Sequence, residues 1–441
     1  MKIKNIRFKD ILSHRKEVLK PIEANNSNLG RVKKIDFKGN IFLDQETTTN
    51  TNMIRIKKND LVISGINADK GAISVYKGDE DILASIHYSS YSFNENEINI
   101  DYLKFFLKSD QFKKLLNEQT SGGIKKELKA KHILPLQINL PDLNTQSKIA
   151  NSINEFELKF ESLYKKIYLN YNEIETLSSS VLQEAIEGKL VKFEKNFDPD
   201  EILKKLQEEK DNFHKNVKNK LAKKQNSIQD DYKLSVPANW RIIELYDVSK
   251  LITDGTHQTP QYVEEGRPFL SAQNVKPFKF MPENHKFITE KAYQENIKNK
   301  KPEVGDLLVG RVGNVGQAAV IDKKIEFSYY VSLGLIKLFK NFILSEFLAI
   351  VFNSPYGIRY AHKNTSSKGS AAGNFNLGRI RSFKIPITSM EEQMLIVQKV
   401  EKLRKKFFLM REKLDKINSD LMSLSRSIYN KYFTESYVEQ K

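Results

Sequence analysis

Two stretches of the chain carry the same apolar rhythm. Ile149, Ile153, Phe156, Phe160, Leu163, Ile167, Ile174, Leu177 and Val181 alternate steps of four and three, with Asn170 as the one polar member of the stripe. Ile396, Val400, Leu403, Phe407, Met410, Leu414, Ile417, Leu421, Leu424 and Ile428 do the same without interruption. A four-three alternation held this long predicts a long helix with a coiled-coil seam, and these apolar side chains are the expected helix-pairing residues. At about 1.5 Å per residue each seam would run roughly 50 Å. Start and stop signals agree: Ser389 and Glu392 are spaced as a capping box, Asp142 caps the first helix, and Gly188 ends it. An acidic residue at Leu163 or Met410 is expected to break the pair.

Both stripes sit inside a longer repeat. Residues 138–153 return as 385–400, an offset of 247 that matches Gln146 to Gln393 and persists to 177–186 against 424–433. Fainter echoes join 8–11 to 245–248, 59–75 to 305–321, and 101–109 to 345–354. Duplication of this kind organises the fold. The chain reads as a globular domain (1–141), a long helix (142–187), a linker with a short amphipathic helix (188–235), a second globular domain (236–388), a second long helix (389–434) and a tail (435–441). The expected class is α+β: two mixed α/β domains separated and joined by two long antiparallel coiled-coil helices in pseudo-two-fold relation. Residues 142–186 carry −3 and 389–441 carry +3, which suits that pairing.

GDLLVGRVGNVGQ (305–317) raises the question of a phosphate cradle, but Gly310, Gly313 and Gly316 miss the spacing of both common nucleotide fingerprints. A cradle requires a helix after the turn, whereas AAVI follows here, so the stretch predicts two strands joined by a hairpin.

Composition narrows the chemistry. With 441 residues, two or three domains are expected. The absence of cysteine excludes disulfides and thiolate metal sites, and the seven histidines are too scattered to share a metal. The longest apolar run, from Phe342, is too short for a membrane span, so a cytoplasmic protein is expected. Net charge is +17, and the excess lies mainly in 1–141 (+7) and 236–388 (+8), which implies a polyanion partner. Pro199, Asp200, Glu208 and Lys210 superficially resemble a nuclease carboxylate set, but they share one charged amphipathic helix and are expected to form a solvated face. No nucleotide-binding lysine loop, nucleophile elbow or methyltransferase motif is present, so no catalytic residue and no metal ligand is assigned. Two basic domains held apart suit the reading of two separated patches of duplex DNA.

Several segments are similar to the specificity subunit of type I restriction-modification systems: IPITSMEEQMLIVQKVE (385–401), LQEAIEGKLV (182–191), DPDEILKKLQEEKDNF (198–213) and VPANWRIIELYDV (236–248). GRPFLSAQNV (266–275), GDLLVGRVGNVG (305–316) and DLVISGINADKGAISV (60–75) extend the resemblance along the chain. The first copy lacks the acidic pair found at Glu391 and Glu392. The resemblance implies a non-catalytic subunit with two target recognition domains, each reading one half of a bipartite DNA sequence. It also implies that the helices act as spacer and docking site for two methyltransferase subunits and, through them, restriction subunits. No cofactor is expected on this chain; S-adenosylmethionine, ATP and Mg are expected on the partners.

Base reading calls for polar side chains projecting into the major groove. In the second domain the candidates are Thr256, His257, Gln258, Tyr262, Ser271, Gln273, Asn274, Arg311, Asn314, Lys363, Asn364 and Lys368. In the first they are His14, Arg15, Ser64, Asn67, Lys70, His87 and Tyr88. Each equally fits a polar surface position or a structural turn. Two rival readings are a self-contained nuclease or methyltransferase, and a coiled-coil tether that binds DNA without sequence preference, steeply weakened by salt.

Overall fold

The computed structural model describes residues 3–37, 39–44, 48–119, 127–195, 198–216, 234–366 and 373–433. The chain divides into two compact units, one of residues 1–168 with 414–441 and the other of 169–413.

In the first unit Ile3–Arg7 pairs antiparallel with Gln137–Pro141, closing the start of the globular part on its end. A four-stranded sheet runs in the order Leu12–His14, Tyr88–Phe93, Leu61–Ser64, Ile73–Val75. Helices Ile100–Lys108 and Asp110–Gln119 follow. Asn99 starts the first of them by accepting from the Tyr102 amide at 3.0 Å. Phe8, Phe106 and Phe112 meet at 5.9 to 6.3 Å between ring centroids in the core. A second sheet of five strands runs from Val18–Leu19 through Met53–Ile56, Ile82–Ser85 and Arg31–Ile35 to Ile41–Asp44.

The second unit repeats this framework strand for strand. Arg241–Glu244 pairs with Lys384–Ile387. The four-stranded sheet has the order Ser249–Asp254, Leu333–Leu338, Leu307–Gly310, Ala318–Val320. Helices Ser345–Asn353 and Pro355–Lys363 come next, the latter capped by Ser354. The other sheet differs, and the second unit adds the two-stranded pairs Val275–Lys276 with Lys279–Phe280 and Thr365–Ser366 with Asn374–Phe375. That other sheet has four strands here, Tyr262–Val263, Lys286–Ile288, Arg267–Leu270 and Ser328–Tyr329, and its last pair is parallel.

Two long helices, Leu143–Ile186 and Met390–Phe433, each have 44 residues. In both copies one buried glutamine fastens the helix start to its own unit. Gln146 accepts from the Asn99 amide at 2.7 Å and donates to the carbonyls of Glu97 (3.1 Å) and Pro141 (2.8 Å). Gln393 accepts from the Leu344 amide at 2.9 Å and donates to the carbonyls of Phe342 (2.9 Å) and Thr388 (2.8 Å). The repeat therefore preserves a three-bond clasp. Gln393→Ala leaves an amide and two carbonyls without this partner in a buried place and is expected to destabilise the second unit by about 3 kcal/mol in chemical denaturation. Gln146→Ala should do the same to the first. An unchanged denaturation midpoint in either variant would show that the clasp is dispensable.

Asp142 caps as expected, accepting from the Thr145 amide at 2.9 Å, and Ser389 accepts from the Glu392 amide at 3.2 Å. Glu392 itself accepts from Trp240 Nε1 at 2.9 Å and from the Thr388 hydroxyl, so the second member of the capping box ties in a strand-leading tryptophan. Gly188 ends the first long helix with φ +68°, where an added Cβ would meet the Pro237 ring at 2.6 Å.

The helices contact one another in each unit taken separately. In the first, the Tyr429 hydroxyl donates to Glu157; in the second, Arg411 lies 3.5 Å from Glu175. Eighteen residues further along one helix is eighteen back along the other, as antiparallel neighbours require.

The seam is narrower than the stripe predicts. Ile149, Ile153, Ile396 and Val400 are buried near the helix starts, and Ile167, Ile174, Leu414 and Leu421 recur buried at intervals of seven. Phe156, Phe160, Val181, Leu403, Phe407 and Ile428 are half-buried. Leu163 and Met410 are each 48% exposed, and Leu177, Ile417 and Leu424 are about as open. These five are corrected from pairing residues to flank residues, and Asn170, also exposed, interrupts nothing buried. Successive members of a four-three stripe lie about 40 to 60° apart around a helix. Two helices alone bury the row that faces the partner squarely and leave the other on the flank. At this exposure an acid at Leu163 or Met410 is expected to leave the pair intact, contrary to the expectation above.

The linker helix Pro199–Asn216 also departs from its expected solvated face. Glu208 is exposed, but Lys210 is buried against Asp247 at 2.9 Å and over the Tyr246 ring at 4.4 Å. Asp200 receives Arg241 Nε at 2.9 Å. The charged positions dock the helix onto the second unit.

Candidate nucleic-acid interface

The glycine loop is a hairpin. Leu307–Gly310 pairs antiparallel with Ala318–Val320, and Gly313 and Gly316 take φ of +80° and +79° in the turn between them. Arg311, which the sequence offers as a DNA contact, is 3% exposed. Its Nη1 donates to Asp254 and to the Val331 carbonyl (2.9 Å), and its Nε donates to the Phe375 carbonyl at 3.0 Å. Burial pulls the guanidinium below its ordinary value, and Asp254 opposes that shift. A cation enclosed in this way cannot reach a groove without dismantling the turn.

Three asparagines are corrected for the same reason. Asn274 is buried and donates to the carbonyls of Met281 (2.9 Å) and Asn284 (2.7 Å). Asn314 holds the carbonyls of Ala272 (3.0 Å) and Val275 (3.3 Å). Asn364 is buried and donates to the Tyr360 carbonyl at 3.0 Å. Their amides satisfy backbone that leaves regular structure. Lys363 is exposed, and Lys368 lies outside the described residues.

Tyr262, Ser271 and Gln273 come together. They line a concavity of about 300 Å³ with Thr259, Phe269, Lys286 and Tyr330. Phe269 is the buried floor, 6.2 Å from both the Tyr262 and Tyr330 rings. Lys286 Nζ stands 4.2 Å over the Tyr262 ring. Gln273 is exposed, and among the described residues no hydrogen bond holds its amide. Thr256 turns its hydroxyl to the Gln258 carbonyl at 3.2 Å, and Gln258 is exposed beside it. His257 is 74% exposed, with Nε2 3.2 Å from Asp254, the carboxylate that holds Arg311. Lys286, Thr259, Phe269 and Tyr330 join the site through folding; the basic and aromatic residues of HKFI and the tyrosine pair of SYY are the signal the sequence holds for them.

In the first unit the candidates fall at two ends of one strand. At one end Tyr88 is paired with Ser64, with His87 next to it, and the turn carrying Asn67 and Lys70 follows. Ser64 is buried, and Tyr88 is half-buried with its hydroxyl pushed up by burial. Asn67 accepts the Lys70 and Ala72 amides on its backbone carbonyl, both at 3.1 Å. Exposed Lys70 reaches over the Phe37 ring at 5.9 Å, and exposed His87 places Nδ1 2.8 Å from Glu127. At the other end His14 pairs with Tyr91, and burial, with Lys16 adding to it, lowers its imidazole. Arg15 is corrected to a structural role: its Nε and Nη2 bond Asp60 at 2.6 and 2.7 Å. Burial opposes the Asp60 charge, but Arg15, the Lys57 amide and the Ser90 hydroxyl together hold its carboxyl below the ordinary value.

Among the described residues no group of three or more His, Cys, Asp and Glu is placed to hold a metal ion, and no helix is long and apolar enough to cross a membrane.

Residues 237–419 match the family model of the type I restriction modification DNA specificity domain. The chain is 23% identical over 332 residues to the EcoBI specificity subunit of Escherichia coli, covering 74% of this chain and 63% of that protein. It is 22% identical over 272 residues to the EcoEI specificity subunit of the same organism, covering 58% and 45%. The matched stretches thus span less than two thirds of either relative. Among solved structures, a chain from work on complex assembly and conformational transition of the type I R-M system aligns over 98% of both chains, with TM-score 0.64 and 14% identity. The HsdS subunit from Thermoanaerobacter tengcongensis aligns over 98% and 96%, with TM-score 0.52 and 15% identity. These two likenesses show a shared fold across the duplicated framework and the long helices. Residues 237–419 thus match the type I restriction modification DNA specificity domain, and the chain as a whole is similar to the specificity subunits of type I restriction enzymes.

Proposed function

We propose that the chain is the non-catalytic DNA-reading subunit of a type I complex. Each unit reads one half of a bipartite target, and the long helices serve as spacer and as docking site for two methyltransferase subunits. Those partners, with the restriction subunits joined through them, carry S-adenosylmethionine, ATP and Mg, and the complex works in the cytoplasm. The observation that carries this reading is a single framework built twice with two different second sheets. A constant scaffold with unlike polar surfaces suits two unlike half-sites, and the excess positive charge of both globular parts suits phosphate positioning.

The test is long-read mapping of modified adenines in the source strain with and without the gene. Loss of one two-part motif with a fixed gap is the expected result. No change in any motif, combined with salt-sensitive binding that ignores sequence, would replace the reading with that of a DNA-binding tether. Gln273→Ala sharpens the test, because its free amide suits a bidentate contact to a base edge, worth about 1 to 3 kcal/mol of discrimination. The same mapping should show one base position relaxed in one half of the motif and the other half unaltered.

A further inference from the structure

The turn that joins strands Val275–Lys276 and Lys279–Phe280 is made by Pro277 and Phe278, and Phe278 takes φ +62°. A left-handed backbone at such a place normally falls to glycine or asparagine. Among the described residues the other two non-glycine positions with positive φ, Asn59 and Asn299, follow that rule. A phenylalanine held there against its preference needs a contact that keeps it.

The contact comes from the long helix Met390–Phe433. Arg404 sets its guanidinium 3.7 Å from the centroid of the Phe278 ring, the closest approach of a cation to an aromatic ring among the described residues. Burial pulls that guanidinium below its ordinary value, with Glu401 opposing, so the stack works in a place short of water, where such contacts are strongest. One turn further along the helix, Lys279 Nζ stands 5.7 Å over the Phe408 ring, so hairpin tip and helix exchange a cation and a ring in both directions. The Phe278 amide also donates to the Ala318 carbonyl at 2.9 Å, which ties the tip to the four-stranded sheet. The sequence repeat does not carry this device into the first unit, since 247 residues back from Arg404 and Phe408 stand Glu157 and Glu161.

The base of the same hairpin belongs to the reading surface. Asn274 closes it through the Met281 and Asn284 carbonyls, and the next residue back is Gln273, which lines the concavity with Ser271 and Lys286. The tip therefore grips the spacer helix while the base carries groups that face DNA. In a B-form duplex, a gap one base pair longer or shorter turns the far half-site by about 35° and shifts it by about 3.4 Å. A reader able to pivot on its helix follows that change, and a reader clamped to it does not.

We propose that Phe278 and Arg404, seconded by Lys279 and Phe408, are positioning residues that lock the reading loop of the second unit to the long helix and so hold the non-specific gap of the target to one length. The proposal rests on the function given above.

The experiment uses the full chain coexpressed with its methyltransferase, S-adenosylmethionine, and duplexes carrying the mapped motif with its own gap or with a gap one base pair shorter or longer. Arg404→Ala and Phe278→Gly should each raise methylation of the two altered-gap duplexes, relative to the natural gap, by about tenfold or more, the scale of one desolvated cation–ring contact. Rejection of a changed base inside either half-site should stay as in the parent. Arg404→Lys keeps a cation on the ring and should keep the gap preference. Glycine tolerates the backbone of the turn, so Phe278→Gly loses the ring without straining the hairpin, and circular dichroism checks the folding of each variant at the assay temperature. Unchanged relative rates on the three duplexes in both variants, whatever their melting temperatures, would overturn the clamp. Loss of base discrimination along with gap discrimination would overturn it too, because these residues would then belong to the reading surface itself. If the unaltered complex fails to methylate the natural-gap duplex, the underlying function falls instead.

Discussion

Arg311→Met is expected to unfold the second unit well below the parent's melting temperature. The change removes the cation that Asp254 faces and the donor to the Val331 and Phe375 carbonyls, in a place almost closed to water. Breaking a buried ion pair from one side costs about 3 to 5 kcal/mol. For a unit of this size that corresponds to a shift on the order of 10 °C. Thermal unfolding followed by circular dichroism measures it. A companion variant, Asp254→Asn in the Arg311→Met background, should recover part of the loss, because the stranded carboxylate is then gone. If Arg311 were instead a base contact, the single variant would melt with the parent and alter the methylated motif.

Val400→Asp should be among the most damaging changes on the long helices, and Met410→Asp among the mildest. Both positions sit on the same four-three stripe, so the pattern ranks them equally. Val400 is 1% exposed in the main core of the second unit, where a carboxylate must either strand its charge or take up a proton. A loss of at least about 4 kcal/mol is expected, enough to deplete the folded unit. Met410, at 48% exposed, should cost within about 0.5 kcal/mol. Denaturant titration of the two variants side by side decides the matter; equal losses would mean that Met410 is buried in the working protein. Stability kept by Met410→Asp together with weakened assembly would place the flank row in a partner interface.

The sequence by itself determined the parts of this protein that rest on local period and duplication. The length and placement of both long helices follow from an alternation that any stretch of the stripe repeats, reinforced by Asp142, Ser389 and Gly188 at the ends. Gln146 and Gln393 were visible as a matched pair, and the strand-turn-strand reading of 305–317 followed from the lack of a helix after the glycines. The tertiary structure decided everything that depends on which distant group stands opposite. Arg311, Asn274 and Asn364 look like readers in sequence and serve as braces, because Asp254, the Met281 carbonyl and the Tyr360 carbonyl are brought to them by folding. A stripe specifies a face but not its rotation toward the neighbour, so Leu163 and Met410 fell on the flank while Ile167 and Leu414 were buried. The concavity of Gln273, Lys286 and Tyr330 forms only where Arg267–Leu270 pairs with the antiparallel strand Lys286–Ile288 and the parallel strand Ser328–Tyr329, joining residues far apart in the chain. Local propensity acts over a few residues, whereas burial and charge pairing are set by long-range packing; the helices were therefore legible and the reading surface was not.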